Sequence, residues 1–385
     1  EEARQMAEGN PYSFLHVNKP EIDLDPTIDV YDKRVYQKGA ENLIKLISEG
    51  IMVQDETPLL YVYRQIMGSH QQTGLVTCAS VDEYEKDLIK KHEFTRPVKE
   101  DDRVNHIKYL NAQVGPVFLT YRSKKDINQL IQKVTEGEPE YDFESPDNVK
   151  HIFWVIKDNK LSEQLVQQFN SIDYLYVADG HHRSAAAERI RNMKRDENPN
   201  HTGNEAYNFF LVVIFPDDQM QILDYNRVVK DLNGNSNEQF LSKIEDKFTV
   251  ETLGADIPDK PKSRNEFMMY LEGHWYRLTA SKSAYDENDP VKRLDVSILQ
   301  ENLLTPVLGI GDPRKDKRID FVGGIRGLAA LKKRVDSGEW KVAFALHPTS
   351  IEELMAIADS GNVMPPKSTW FEPKLRSGLV VHLLD

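Results

Sequence analysis

A chain of 385 residues with 39% hydrophobic and 29% charged residues can bury a sizeable core, which excludes wholesale disorder and leaves room for about two to three average domains. Its formal charge of −13 disfavours nucleic acid as a partner, because a duplex asks for a basic face, and no apolar run approaches the ~18 residues that would span a bilayer. The single cysteine, Cys78, excludes an intramolecular disulfide and points to a reducing, cytoplasmic location.

The chain opens at Glu1 among helix-forming residues, so a segment ahead of it is expected. From Tyr36 to Ile47 the apolar positions Ala40, Leu43, Ile44 and Ile47 follow helical spacing, and Gly50 supplies the stop. Leu59–Met67 and Leu75–Ala79 are strand-forming runs that predict a hairpin. Ser80-Val81-Asp82-Glu83 has the form of a capping box and predicts a helix through Lys91. The stretch from His92 to Arg103 then mixes a carboxylate, a hydroxyl, Arg96, Lys99 and Arg103. A solvated connector has this composition, and so does a phosphate-handling loop. The following helix carries Val104, Ile107, Leu110 and Val114 and is expected to end at Gly115-Pro116, before a strand at Val117–Tyr121. Asp126–Val134 predicts a helix, Gly137–Asp147 an acidic loop, Ile152–Ile156 a buried strand and Leu161–Phe169 another helix.

The run Tyr174-Leu175-Tyr176-Val177-Ala178 leads into Asp179-Gly180-His181-His182-Arg183, and the alanine-rich stretch after Ser184 is strongly helical. Strand, tight turn and helix are predicted. Such a junction leaves the first helical amides unpaired at the positive end of the helix dipole. An anion fits there, with Gly180 allowing close approach and Arg183 able to grip a phosphate in a fork. A polar loop and a histidine-ligated metal are the other readings. Adjacent histidines lie ~100° apart on a helix, so His181 and His182 do not share a face as an i, i+4 pair would.

Beyond a polar stretch at Asn192–Asn208, Phe209–Phe215 and Met220–Tyr225 predict a second hairpin. The polar run Asp231–Ser236 marks the expected boundary, giving domains 1–232 and 233–385. The second part predicts a helix at Asn237–Phe248, a strand at Trp275–Thr279 and a helix capped by Asp295. Ile319–Val322 followed by Gly323-Gly324 and a helix to Val335 is a second strand, glycine, helix junction, read as structural. A strand at Val342–Leu346 and a helix opened by the capping box Ser350-Ile351-Glu352-Glu353 come next. The loop Met364–Phe371 is stiffened by Pro365 and Pro366 and offers Lys367 and Ser368.

The strand followed by Asp179-Gly180-His181-His182-Arg183 resembles the nucleotide-binding junction of the ParB/sulfiredoxin superfamily, in particular the form found in its free serine kinases. Residues Asn10–Val17, His92–Arg103, Gly115–Phe118, the central motif and Met364–Lys374 are similar to an uncharacterised bacterial family of ParB-like proteins. The resemblance implies an α+β (mixed α/β) superfamily core, elaborated by a C-terminal α/β region packing on the same site, with phosphates on Gly180 through Arg183. His181 stands where sulfiredoxins have their cysteine, and there is no basic helix-turn-helix tail, so sulfinate repair and chromosome partition are disfavoured.

The resulting expectation is a phosphotransferase using ATP or ADP with Mg²⁺ on a small hydroxylated metabolite, free serine first. The alternative is a non-catalytic, nucleotide-responsive binding module. Gly180, His181, His182, Arg183 and Ser184 would hold phosphates, and Asp179 would hold the metal or the substrate hydroxyl. Glu93 would serve as base, with Asp179 and His182 as its catalytic partners, and Arg96, Lys367 and Ser368 would bind substrate. A homo-dimer is left open.

Overall fold

β1 (Leu60–Met67) and β2 (His70–Ser80), the latter buried without a break from Gln72 to Val76, make the first antiparallel hairpin, turning at Gly68-Ser69. The computed structural model describes residues 1–385. Further strands of the same sheet are β3 (Ile89–Lys90), β5 (Val117–Tyr121), β6 (Tyr141–Glu144), β7 (Val149–Ile156), β8 (Leu175–Asp179) and β9 (Phe209–Pro216), with the short β4 (Ala112–Gln113) outside it. The eight strands run in the order β3-β8-β5-β9-β2-β1-β7-β6. Only the pairs β3/β8 and β5/β9 are parallel.

Helices α1 (Glu2–Ala7), α2 (Leu15–Asn18), α3 (Lys33–Ser48), α4 (Val81–Glu85), α5 (Pro97–Leu110), α6 (Lys125–Thr135), α7 (Asn159–Phe169) and α8 (His181–Glu197) belong to this part of the chain. One core joins Val62, Leu75, Leu119, Val177, Val212 and Ile214 of the sheet to Ile127 and Ile131 of α6 and Leu165 of α7. A second packs Val104 and Ile107 of α5 on Ala186 and Ile190 of α8. This second cluster fixes the helix that follows the central motif.

Two units result, Glu1–Met220 together with Pro373–Asp385, and Gln221–Glu372. The second holds an antiparallel sheet in the order β12 (Phe248–Gly254), β14 (His274–Ala280), β13 (Glu266–Leu271), β16 (Val342–Leu346), β11 (Tyr225–Val229) and β15 (Ile319–Gly323). A two-strand pair, β10 (Ile222–Leu223) with β17 (Trp370–Phe371), completes it. Its helices are α9 (Asn237–Ile244), α10 (Asp295–Leu299), α11 (Gly327–Asp336) and α12 (Ile351–Asp359). In the returning tail, β18 (His382–Leu383) pairs with β4. The fold is mixed α/β, and no helix is long and apolar enough to cross a membrane.

Several local expectations give way to longer-range pairing. The helix opened by Ser80 stops at Glu85, because Asp87 takes a left-handed φ of 56° and the chain turns back to pair Ile89 with Leu175. The helix before β5 ends at Asn111, also left-handed, ahead of Gly115. The acidic loop contains β6 at the sheet edge. No hairpin joins β9 to the next strand, since β2 and β5 already occupy both its edges and Ile222–Leu223 pairs with Trp370–Phe371 instead. Phe248 leaves the preceding helix for β12. Asp295 lies inside its helix and accepts the Asn265 amide from a neighbouring loop, while the capping position is Leu294. The polar run Asp231–Ser236 is a turn within the second unit, between β11 and α9, with Asn233 and Gly234 left-handed.

Candidate functional site

β8 ends at Asp179, and Gly180 takes φ of 104°, where side chains are strained; a Cβ there would also meet Val117 Cα at 3.4 Å. The chain therefore turns sharply and starts α8 at His181 with no side-chain cap. The Arg183 and Ser184 amides both reach the Gly180 carbonyl, at 2.8 and 3.1 Å, and the Gly180 amide supports the Asp179 carboxylate. The His181 amide finds no acceptor in the protein. The crown of free amides is thus smaller than the sequence implies.

The two histidines face different ways. His181, expected to hold phosphate, is 5% exposed, and its ring stands edge-to-face on His92 with centroids 4.4 Å apart. Topology is the cause: β3 runs parallel to β8 with Lys90 opposite Tyr176, so residues 91–93 continue beside the end of β8 and cover the first residue of the helix. The His92 amide approaches His181 Nε2 at a long 3.5 Å. Burial, aided by His182 and Lys91, pushes His181 down to about 3. Burial and then His181 hold His92 well below the usual histidine range, against a smaller opposing effect of Asp179. Both rings are neutral near pH 7.

His182 is half-buried, and its Nε2 accepts the Arg96 amide at 3.0 Å, tying the loop after β3 to the helix start. An imidazole accepting at Nε2 carries its proton on Nδ1. Arg96 itself is exposed and stands at the N-cap of α5. Ser184 is buried and returns its hydroxyl to the Gly180 carbonyl at 3.4 Å, so within the protein it supports the turn.

Arg183 is half-buried, and its guanidinium lies on the backbone of Gly115, where a Cβ would come within 1.6 Å of Nη1. It makes no hydrogen bond or ion pair within the protein. Burial and then Arg103 lower its pKa to about 10, with Asp179 opposing, so it remains charged near pH 7. Arg183, Arg103, His106, Gln113 and Asn18 line a small cleft of about 30 Å³, room for waters or the tip of one phosphate. Arg103 is held by Asp102 at 2.9 Å, and His106 Nε2 donates to the Val17 carbonyl at 3.0 Å.

Asp179 pairs with Lys374 Nζ at 2.8 Å. Burial raises its carboxyl, but Lys374 and then Arg183 and the Gly180 amide hold it, on balance, below the usual range. A protein cation already stands where Mg²⁺ was expected on this carboxylate. The donor set that converges elsewhere is His92, Glu93 and His181, one ligand atom of each lying within 4.8 Å of the others. Glu93, the expected base, is half-buried beside the histidine pair.

Lys367 and Ser368 belong to the second unit, where both have partners of their own. The Lys367 ammonium sits 5.3 Å from the Tyr225 ring centroid and its carbonyl accepts from Arg227, while the buried Ser368 hydroxyl donates to the Pro365 carbonyl at 2.6 Å. Sequence reasoning singled out the motif but missed three residues around it. Lys374 had no signal beyond a lysine in a matching stretch, and Gly115 was read as a helix stop that opens another matching stretch, with no link to Arg183. His92 was read as part of a charged run.

Several solved structures are similar to this chain at low identity, among them the following three. "Free serine kinase in complex with AMP" shares 14% identity over 77% of this chain and 86% of that one, with a TM-score of 0.38. "SbnI with C-terminal truncation" from Staphylococcus aureus shares 11% over 78% and 84%, with a TM-score of 0.40. A conserved hypothetical protein from Pyrococcus furiosus shares 14% over 77% and 90%, with a TM-score of 0.36. No curated protein matches the chain. A family model does, over residues 1–297, and the chain accordingly belongs to the family described as "Protein of unknown function (DUF1015)".

Proposed function

We propose that the first unit is a nucleotide-dependent phosphotransferase acting on a small hydroxylated metabolite, with free serine as the first substrate to test. The observation that carries this is the unpaired Arg183 guanidinium, which faces Arg103 across a cleft at an uncapped helix start. Two guanidiniums that repel each other at a helix N-terminus are stabilised by an anion between them, and a phosphate matches both their geometry and the dipole. The likeness of Asp179–Arg183 to the free serine kinase motif supplies the reaction class. Phosphoryl transfer asks the protein mainly to position its partners and to spread negative charge. Arg183, Arg103 and the His181 amide would do so here.

His182, half-buried, and the exposed Arg96 beside it would meet the outer phosphates or the acceptor. Glu93 would take the proton of the attacking hydroxyl, and the Asp179–Lys374 pair would orient that hydroxyl. The nucleotide is ATP or ADP in this proposal. Bound divalent metal would supply further charge neutralisation on the phosphates.

Calorimetry with ATP, ADP and CTP on wild type and Arg183→Ala tests the grip. Loss of a buried charge-assisted contact should cost about 1.5–3 kcal/mol, roughly tenfold to a hundredfold in Kd. Equal affinities in the two proteins remove the proposed phosphate site. Incubation with nucleotide, a divalent metal and a panel of amino acids then reads the reaction, and binding without a phosphorylated product assigns the chain to nucleotide-responsive regulation instead.

A further inference from the structure

We infer that His92, Glu93 and His181 form a binding site for a divalent transition-metal ion of the Zn²⁺ class. The observation behind it is an imidazole with nothing to bond: His92 is 1% exposed, and neither Nδ1 nor Nε2 has a hydrogen-bond partner. The Val177 backbone lies close enough to favour a charged ring, but not in hydrogen-bonding geometry. Buried polar atoms are satisfied in the great majority of proteins, and an orphan of this kind calls for an unseen water or ion.

Geometry narrows the choice. The His92 and His181 rings are perpendicular, at 89°, and one ligand atom from each, with one from Glu93, falls within 4.8 Å of the others. Bonds of about 2.0–2.1 Å to a tetrahedral ion bring its ligand atoms to about 3.3 Å apart, so a modest closing of three side chains completes the shell. The competing contact on His181 is the long one to the His92 amide, which is weak at 3.5 Å. Lys91, a cation that disfavours charge on His181, lies against the Tyr84 ring at 4.2 Å and donates to the Tyr84 carbonyl at 3.2 Å. Two imidazoles and one carboxylate suit Zn²⁺, Co²⁺ or Fe²⁺, whereas Mg²⁺ and Ca²⁺ prefer all-oxygen shells.

Three protein ligands leave a fourth position open to water or a substrate oxygen, the arrangement of a catalytic and not a structural site. Glu93 would supply one carboxylate oxygen to the ion. The site lies at the N-terminal residue of α8 but does not require nucleotide, so its test is run without any.

The full chain is stripped with chelator and titrated with Co²⁺, followed by Zn²⁺ competition. The expected result is one equivalent of Co²⁺ with the strong visible bands of a four-coordinate ion, displaced by Zn²⁺. His92→Asn, Glu93→Gln and His181→Asn should each weaken binding by more than about 100-fold, beyond the usual loss for an outer-sphere partner. His274→Asn, at an exposed histidine, should leave it unchanged. A weak six-coordinate spectrum in the wild type overturns the site even if the variants fail to fold. Unaltered affinity in His92→Asn, or an equal loss in His274→Asn, does the same.

Discussion

Two strand, glycine, helix junctions occur in this chain, and they use their glycines for opposite ends. In the second unit Gly323 and Gly324 are filled by the protein itself. A Cβ on Gly323 would meet the Trp370 ring at 2.9 Å, and one on Gly324 would come within 2.6 Å of both the Asp224 carboxylate and its carbonyl. The Gly324 amide donates to the Asp224 carbonyl at 2.7 Å, and Lys260 bridges Asp224 to the Gly324 carbonyl. The space beside both glycines is taken up by the protein's own groups. At Gly180 the helix start is uncapped, the following amide lacks an acceptor, and the guanidinium two residues further on has no protein partner. A glycine before a helix therefore says little until what occupies the space beneath it is known.

The contrast breaks most readily at Gly324. A methyl group there meets backbone and a buried carboxylate rather than a flexible tip, so Gly324→Ala should lose about 3 kcal/mol or more in urea denaturation, the upper end for overpacking. A loss below about 1 kcal/mol would mean that the second junction is as loosely filled as the first.

The cleft beside Arg183 sharpens the same comparison through pH. Burial, with Arg103 and Arg183 adding to it and the Val17 carbonyl and Asp102 opposing, lowers His106 to about 4. The unfolded chain binds that proton near 6.5, so between about 6.5 and 4 it takes up more protons than the folded one. Stability is fully present above about 6.5 and falls as pH drops through that window, by on the order of 3 kcal/mol as an upper bound. His106→Gln keeps a donor for Val17 and should flatten this part of the pH profile. An unchanged slope between pH 6.5 and 4 would place the acid sensitivity in other groups.

How much of this was legible beforehand follows from the range of the contacts. Helices with strong apolar spacing, such as α3, α6 and α7, and the capping boxes at Ser236 and Ser350 depend on neighbours three or four residues away; the box at Ser350 and the helices are read directly from sequence. The junction at Asp179–Arg183 is legible for the same reason. What escapes is set by pairings between distant segments: β3 beside β8 turns His181 inward, β9 has no free edge for a hairpin, and Lys374 meets Asp179 across 195 positions. A local pattern located the site, but the direction of each side chain within it depended on these partners.

Gly115→Ala is the finest division between a glycine kept for packing and one kept for a ligand. The three atoms nearest such a methyl group are all guanidinium atoms of Arg183, within 2.8 Å, and they end a long flexible side chain that is only half-buried. Arg183 can swing away, so the cost in stability should stay under about 1 kcal/mol, within the range of ordinary substitutions. Swinging away, however, removes the guanidinium from the cleft it shares with Arg103. If that position grips phosphate, nucleotide affinity should fall about tenfold in calorimetry, or about 1.4 kcal/mol, while the melting temperature barely moves. Were the substitution instead to unfold the protein with affinity intact in the folded fraction, Gly115 would belong with Gly324, as a space the protein keeps for itself.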